Sequence, residues 1–356
     1  MNKTELLATI KTICTNGKGI LAADESTGTI EKRFKDIDVE NTHQNRIKYR
    51  DLLFTTPNLN EHISGVITYE ETLFDVKEDG TKLIQPLIDN NIAVGIKVDM
   101  GVKPLYNEHD ESITQGLDDL DVRCKKYYEA GARFAKWRSV LKIDSNNNLP
   151  SDLSIISSSF VLARYASICQ NNGLVPIVEP EILMDGDHSI EYCRKKTAIV
   201  LTYVYDALKL FNVDIECTLL KPNMVRQGVS NKTEVEYETI AQATIDSLKN
   251  SVPSTMPGVV FLSGGMAEVE ASIVLNEINK IKNSNKDNKY PWYLTFSYGR
   301  ALQASVLRSW RGLDNNISHA QETLLHRCKA NGYASMGVYD NEIYIGRSLH
   351  EHKYNY

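Results

Sequence analysis

The sequence predicts an α/β fold, a single parallel (β/α)8 barrel, and three observations carry that reading. Eight short apolar runs rich in Val, Ile and small residues recur along the chain, their starts 30 to 44 residues apart. Segments with apolar residues at three- and four-residue spacing lie between most of them. Charged residues sit near corresponding ends of several runs, where a barrel gathers its loops and its chemistry. Alternation alone also suits a doubly wound open sheet; the recurring polar ends favour the barrel.

The runs follow in order. Gly19–Asp24 and Ile63–Tyr69 are short, mostly apolar and bounded by polar segments, as buried parallel strands are. Ala93–Asp99 and Ala132–Arg138 carry Lys97 and Lys136 inside otherwise apolar stretches. Val175–Glu181 ends on two glutamates, and Thr218–Met224 holds Lys221. Gly258–Gly264 and Tyr293–Gly299 each finish in a glycine turn. Helical spacing marks Ile155–Asn172, Lys196–Asn212, Val235–Asn250 and Glu268–Ile281, then Ala301–Trp310 and Asn316–Ala330 after the last run. No composition shift suggests a linker, so residues 1–356 are expected to form one catalytic domain, with 337–356 as a mobile C-terminal tail. Ser145–Asn148 and Asn283–Asn288 read as short polar loops.

Bulk composition narrows the function. The 356 residues are 42% hydrophobic and 24% charged, with net charge -6. That profile gives no general attraction to nucleic acid or an anionic membrane, so any phosphate binding must be local. The N-terminus lacks a signal-peptide pattern, and no stretch approaches a membrane span. Six scattered cysteines without a CxxC pair suit reduced thiols and a cytoplasmic location.

The three lysines are the chemical signal. An unpaired ammonium in a buried strand is costly, and a lysine that gives up its proton is a nucleophile able to form a Schiff base with a carbonyl. Strand parity puts Lys97 with Asp99, Lys136 with Phe134 and Arg138, Glu179 with Glu181 and Ile177, and Lys221 with Leu219 and Asn223. The opposite faces (Ile96, Val98, Ala135, Trp137, Val178, Leu220) are apolar, so the charged faces point into the barrel mouth. Each residue also has a plainer reading. Asp24 suits an N-cap, Asp99 a lysine partner, Arg138 a salt bridge and Trp137 packing.

Two glycine turns, Leu262-Ser-Gly-Gly-Met266 and Ser297-Tyr-Gly-Arg-Ala301, follow the last two strands. Backbone amides there, a helix N-terminus and Arg300 suit a phosphate; simple helix-entry turns are the alternative. The eight histidines avoid the lysine-bearing runs and show no HExxH spacing, which disfavours a metal-dependent mechanism.

Together these residues resemble the class I (Schiff-base) fructose-1,6-bisphosphate aldolases nearly end to end. The matching stretches are Gly19–Gly28, Gly95–Asp99, Phe134–Arg138, Val175–Leu183, Thr218–Met224, Phe261–Gly265 and Leu294–Gln303. The resemblance implies a TIM barrel and a glycolytic and gluconeogenic enzyme. That enzyme reversibly cleaves fructose 1,6-bisphosphate to dihydroxyacetone phosphate and glyceraldehyde 3-phosphate with no cofactor. It implies Lys221 as the Schiff-base lysine and Glu179, with Glu181 beside it, as general acid/base. Lys136 then assists proton transfer and Asp24 acts in carbon–carbon cleavage. Lys97, Arg138, Ser26 and Arg33 fall at substrate and C6-phosphate positions; Ser263, Gly264, Gly299 and Arg300 fall at the C1-phosphate site. Tyr356 matches a C-terminal tyrosine that reaches the site. A homotetramer in the cytoplasm is implied, with actin or acidic peptide tails as further partners. Another Schiff-base barrel enzyme, a monophosphate aldolase or a transaldolase, is the alternative. Cys217 stands where glycine is usual, Met266 where glutamine is common, and the loop Lys103–Thr114 and the tail depart from the familiar animal pattern.

Overall fold

The computed structural model describes residues 2–285 and 290–340. Its strands, in chain order, are β1 (Gly19–Ala23), β2 (Ile63–Thr68), β3 (Ala93–Lys97), β4 (Val102–Pro104), β5 (Ser112–Thr114), β6 (Phe134–Leu141), β7 (Val175–Ile182), β8 (Leu219–Leu220), β9 (Gly258–Phe261) and β10 (Tyr293–Tyr298). All but β4 and β5 form one closed parallel barrel. Closure is made by β1 against β10, with Ile20 opposite Ser297 and Leu21 opposite Tyr298. That pairing rules out the open doubly wound sheet, which would leave both strands as edges.

The eight expected runs are the eight barrel strands, with shifted ends. β6 starts at Phe134 and runs on to Leu141. β8 keeps only two residues of the expected seven-residue run. Pro222 has no N–H to donate, so the ladder stops there, although Lys221 N still donates to Val178 O at 2.8 Å. The segment read as the loop Lys103–Thr114 contains the antiparallel hairpin β4–β5, pairing Val102 with Thr114 and Pro104 with Ser112.

The barrel interior is its own cluster, in which Ile20, Phe134, Ile177, Leu219 and Val260 meet Leu6, Ile10 and Ile13. The latter three lie on the helix Lys3–Ile13, which closes the end of the barrel opposite the mouth. Cys217 joins this cluster, fully buried, and burial pushes its thiol up to about 11. Gly95 is required by the same packing, because a Cβ there would lie 2.2 Å from the Phe134 ring. The opposite strand faces, with Ile96, Val98, Ala135, Trp137, Val178 and Leu220, belong to the outer core beneath the helices. The Trp137 ring packs tilted against Tyr165, centroids 5.4 Å apart, so its role is packing.

The six expected helices are present as Asp152–Asn171, Ile190–Leu210, Tyr237–Ser251, Glu268–Ser284, Arg300–Trp310 and Ile317–Met336. Ser151 and Ser189 cap two of them, accepting from Ser154 N and Tyr192 N at 3.2 Å each. The last runs past its expected end to Met336 and stops at Gly337, whose φ of +73 is a left-handed C-terminus. Of the tail expected over 337–356, residues 341–356, including Tyr356, lie outside the described residues. Among the described residues, no helix is long and apolar enough to cross a membrane.

Candidate active site

Four adjacent strands deliver the charged side chains to one mouth. Lys97 ends β3, Lys136 and Arg138 lie on β6, Glu179 and Glu181 on β7, and Lys221 follows β8. Asp24 comes one residue after β1. The expected parity holds, and each of these residues is buried.

Lys221 Nζ lies 3.1 Å from Glu179 Oε1. The other Glu179 oxygen is 3.6 Å from Lys136 Nζ, so one carboxyl group spans two lysine nitrogens. Lys136 also reaches Asp24 Oδ2 at 2.8 Å and Asp99 Oδ2 at 3.8 Å. Asp99 in turn pairs with Lys97 at 2.7 Å and accepts from the Arg138 backbone N–H at 3.3 Å. Arg138 Nε donates to Glu181 Oε2. Alternating signs offset the desolvation that any one of these charges would suffer alone.

The carboxyl groups record this balance. Burial pushes Asp24 up, but Lys136, Lys221 and Lys97 together outweigh it and hold the group at about 2. Asp99 is likewise lowered, burial being overcome by Lys97 and Lys136. Glu181 is lowered against its burial by Arg138, with Arg300 and Lys221 adding to the effect. Asp24 is therefore ionised at neutral pH. It is not a helix cap: the N-cap of the helix Thr27–Lys35 is Ser26.

A small cleft opens over this network. It is lined by Asp24, Arg138, Glu179, Glu181 and Lys221 on one side and by Ser263, Gly264, Gly299 and Arg300 on the other, with Arg33 at its edge. Gly264 and Gly265 have φ of +54 and +79, the left-handed geometry that the turn after β9 requires. Gly299 is the N-cap of the helix Arg300–Trp310, so this side of the cleft has both a helix N-terminus and a guanidinium. Lys136 lies beneath the cleft, and Lys97 is held against Asp99. Ser26 also stands off the lining, with Oγ 3.0 Å from Thr29 Oγ1.

Sequence reasoning missed a second buried knot beside the cleft. Glu25 binds Arg33 through Oε1 and Arg50 through Oε2, the latter at 2.6 Å. Gln303 Nε2 donates to Glu25 Oε1 at 3.0 Å and to Ala22 O at 2.8 Å, while its own oxygen accepts from Tyr49 at 2.9 Å. Glu25 was visible next to Asp24, but Arg50 gave no signal because it comes from a separate helix, His43–Phe54. Among the described residues, His43, Glu71 and Asp75 bring ligand-type atoms within 4.8 Å of one another. None of the three lines the cleft, and Arg46 already holds both Glu71 oxygens at 2.7 Å.

Comparison with known proteins agrees with this geometry. Residues 5–356 match the family model described as fructose-bisphosphate aldolase class-I. Fructose-bisphosphate aldolase 2 of Caenorhabditis elegans is 52% identical, covering 99% of this chain and 96% of that protein. Fructose-bisphosphate aldolase 4, cytosolic, of Arabidopsis thaliana is also 52% identical, over 99% of this chain and 89% of its own length. The structure of fructose-bisphosphate aldolase from Plasmodium falciparum, solved with TRAP and a small-molecule inhibitor, superposes with a TM-score of 0.92. It is 52% identical and covers 95% of this chain and 96% of that one.

Proposed function

The chain belongs to the class I fructose-bisphosphate aldolase family, which reversibly cleaves fructose 1,6-bisphosphate to dihydroxyacetone phosphate and glyceraldehyde 3-phosphate, and we propose the following roles for its mouth residues. Lys221 Nζ adds to the C2 carbonyl. Glu179, 3.1 Å away, takes the proton that Lys221 Nζ gives up on addition and returns it to the departing hydroxyl, so that the carbinolamine loses water and leaves a protonated imine. Asp24 accepts the C4-hydroxyl proton as the C3–C4 bond breaks, and the electron pair moves through C3 and C2 onto the imine nitrogen. Glyceraldehyde 3-phosphate leaves, the enamine is protonated at C3, and water releases dihydroxyacetone phosphate. Lys136 holds Asp24 and Glu179 in register and stabilises the Asp24 carboxylate. Glu181 fixes Arg138, and Tyr356 serves proton transfer from the tail.

Ser263, Gly264, Gly299 and Arg300 bind the C1 phosphate, and Arg33, Arg138, Lys97 and Ser26 serve the C6-phosphate end. Positive groups on both sides of the cleft favour a bisphosphate over a monophosphate or transaldolase substrate. The observation that carries this reading is the buried Lys221–Glu179 contact between the two. It is tested by turnover of Lys221→Met in excess chelator alongside the parent enzyme. Parent activity that survives chelation and is lost in the variant supports it; a variant that still turns over sinks it. Comparing fructose 1-phosphate with fructose 1,6-bisphosphate tests the second phosphate.

Residues 1–356 act as one catalytic domain with 337–356 as its tail. A cytoplasmic location is supported by relatives named cytosolic. The homotetramer is supported by exposed Leu153, Ile156 and Phe160 on one helix beside Ile199, Tyr203 and Leu210 on the next, an apolar face suited to a second copy. Light scattering tests it. A further role is binding actin or an acidic peptide tail at the mouth; a protein partner of some kind is seen on the relative solved with TRAP. Cosedimentation with actin that fructose 1,6-bisphosphate abolishes would locate it there.

A further inference from the structure

A second sizeable cavity lies outside the catalytic cleft. A pocket of about 530 Å³ lies between the β4–β5 hairpin, the end of β6 and the loop after β7. Its floor is apolar, built from Val102, Pro104, Val140, Ile143 and Leu183. Val140 lies two residues beyond Arg138 on β6, and Leu183 two beyond Glu181, so the Arg138–Glu181 ion pair stands between pocket and mouth. The wall nearest solvent is made by the hairpin that departs from the familiar family pattern.

The two cavities differ in charge balance. The catalytic cleft sets Lys221, Arg33, Arg138 and Arg300 against four carboxylates, from Asp24, Glu25, Glu179 and Glu181. The pocket is lined by five carboxylates, from Asp110, Glu111, Asp144, Asp185 and Asp187, against the two ammonium groups of Lys103 and Lys142. Lys142 is committed to the backbone oxygen of His109 at 2.7 Å. Glu111 is committed to the Ser151 backbone N–H at 2.9 Å, which fixes the hairpin to the helix behind it. Asp110 and Asp187 stand exposed at the rim. His188 is almost fully buried, and burial holds its imidazole below its usual value, so it adds no cation at neutral pH. A phosphate sugar is therefore the wrong occupant. The volume suits a small organic ligand, the floor a flat apolar body, and the rim a cation.

We propose that this pocket is a second ligand site, distinct from the catalytic cleft, that takes a small molecule with an apolar ring system and one protonated amine. The ring system lies on Val140, Ile143 and Leu183, and the ammonium faces Asp110 and Asp187. The test uses two probes of one shape and opposite charge, tryptamine and indole-3-propionate. Their binding to the full chain is followed by calorimetry and by saturation-transfer NMR, with and without saturating fructose 1,6-bisphosphate. Tryptamine is expected to bind at least ~10-fold more tightly than indole-3-propionate and to remain bound in the presence of the bisphosphate. The double variant Asp110→Asn/Asp187→Asn is expected to weaken tryptamine ~5-fold while leaving turnover unchanged, as rim charges of this kind allow. Ser112→Trp, which fills the pocket from β5, is expected to abolish binding. Displacement of tryptamine by the bisphosphate would overturn the proposal. So would equal affinity for the two probes, or no binding of tryptamine at all.

Discussion

Lys136 Nζ lies 2.8 Å from Asp24 Oδ2, closer than to Glu179 or Asp99, so its first partner is the carboxylate assigned to carbon–carbon cleavage. A single ammonium thus supports three carboxylates from three strands. The Lys136→Met variant leaves all three with less compensation in a buried site. It is expected to lose about 3–5 kcal/mol of stability by urea unfolding, the scale for breaking a buried ion pair. Its turnover is expected to fall at least ~100-fold, the lower range for removing a proton-transfer partner. Stability within 1 kcal/mol of the parent, by the same rough scale, would show that the network is not held by this lysine.

Asp24 also sets an acid limit. Its folded value of about 2 lies below the ordinary 3.8, so the charged form is favoured by folding. That contribution is fully present above about pH 4 and is lost as pH falls through about 2. Asp99, Glu25 and Glu181 are lowered in the same direction and add to the effect. Unfolding free energy measured between about pH 5 and 2 is expected to decline less steeply for Asp24→Asn than for the parent, by about 2 kcal/mol over the window. Equal slopes would contradict the assignment.

Glu25 holds Arg33 and Arg50 together, with Gln303 as the third contact. Glu25→Gln removes the charge that fixes Arg33 at the cleft edge. Its expected signature is a higher KM for fructose 1,6-bisphosphate with a smaller change for fructose 1-phosphate, as follows from the proposed place of Arg33 at the C6-phosphate end. Equal changes for both substrates would mean that Glu25 supports the barrel but not the phosphate.

Gly95 faces the Phe134 ring inside the barrel. Gly95→Ala is expected to cost about 1–3 kcal/mol through overpacking, by thermal or urea unfolding. Adding Phe134→Leu should recover part of the loss, a coupling that independent sites would not show.

Much of this architecture was legible from the chain. Valine, isoleucine and glycine runs marked the strands, and period-two parity correctly separated Lys97, Lys136 and Lys221 from the outward Ile96, Trp137 and Leu220. Parity works here because one strand face meets helices and the other meets its own barrel. What escaped was governed by contacts distant in sequence. The helix Lys3–Ile13 buries Leu6, Ile10 and Ile13 against strands spread over most of the chain. That helix, capped by the Asn2 side chain accepting from Glu5 N, is absent from the sequence reading, as is the barrel end it closes. The Glu25–Arg50 contact and the hairpin pairing of Val102 with Thr114 likewise depend on the assembled fold. β8 is shorter than the expected run Thr218–Met224 because Pro222 cannot donate to the ladder, a point the sequence reading did not use.

The most direct measurement is to treat the enzyme with dihydroxyacetone phosphate and borohydride, digest it and map the modified peptide by mass spectrometry. The proposed mechanism predicts one reduced adduct, on Lys221, with activity lost in proportion to its formation. An active enzyme that yields no adduct on Lys221, or an adduct on Lys97 or Lys136 instead, would contradict it.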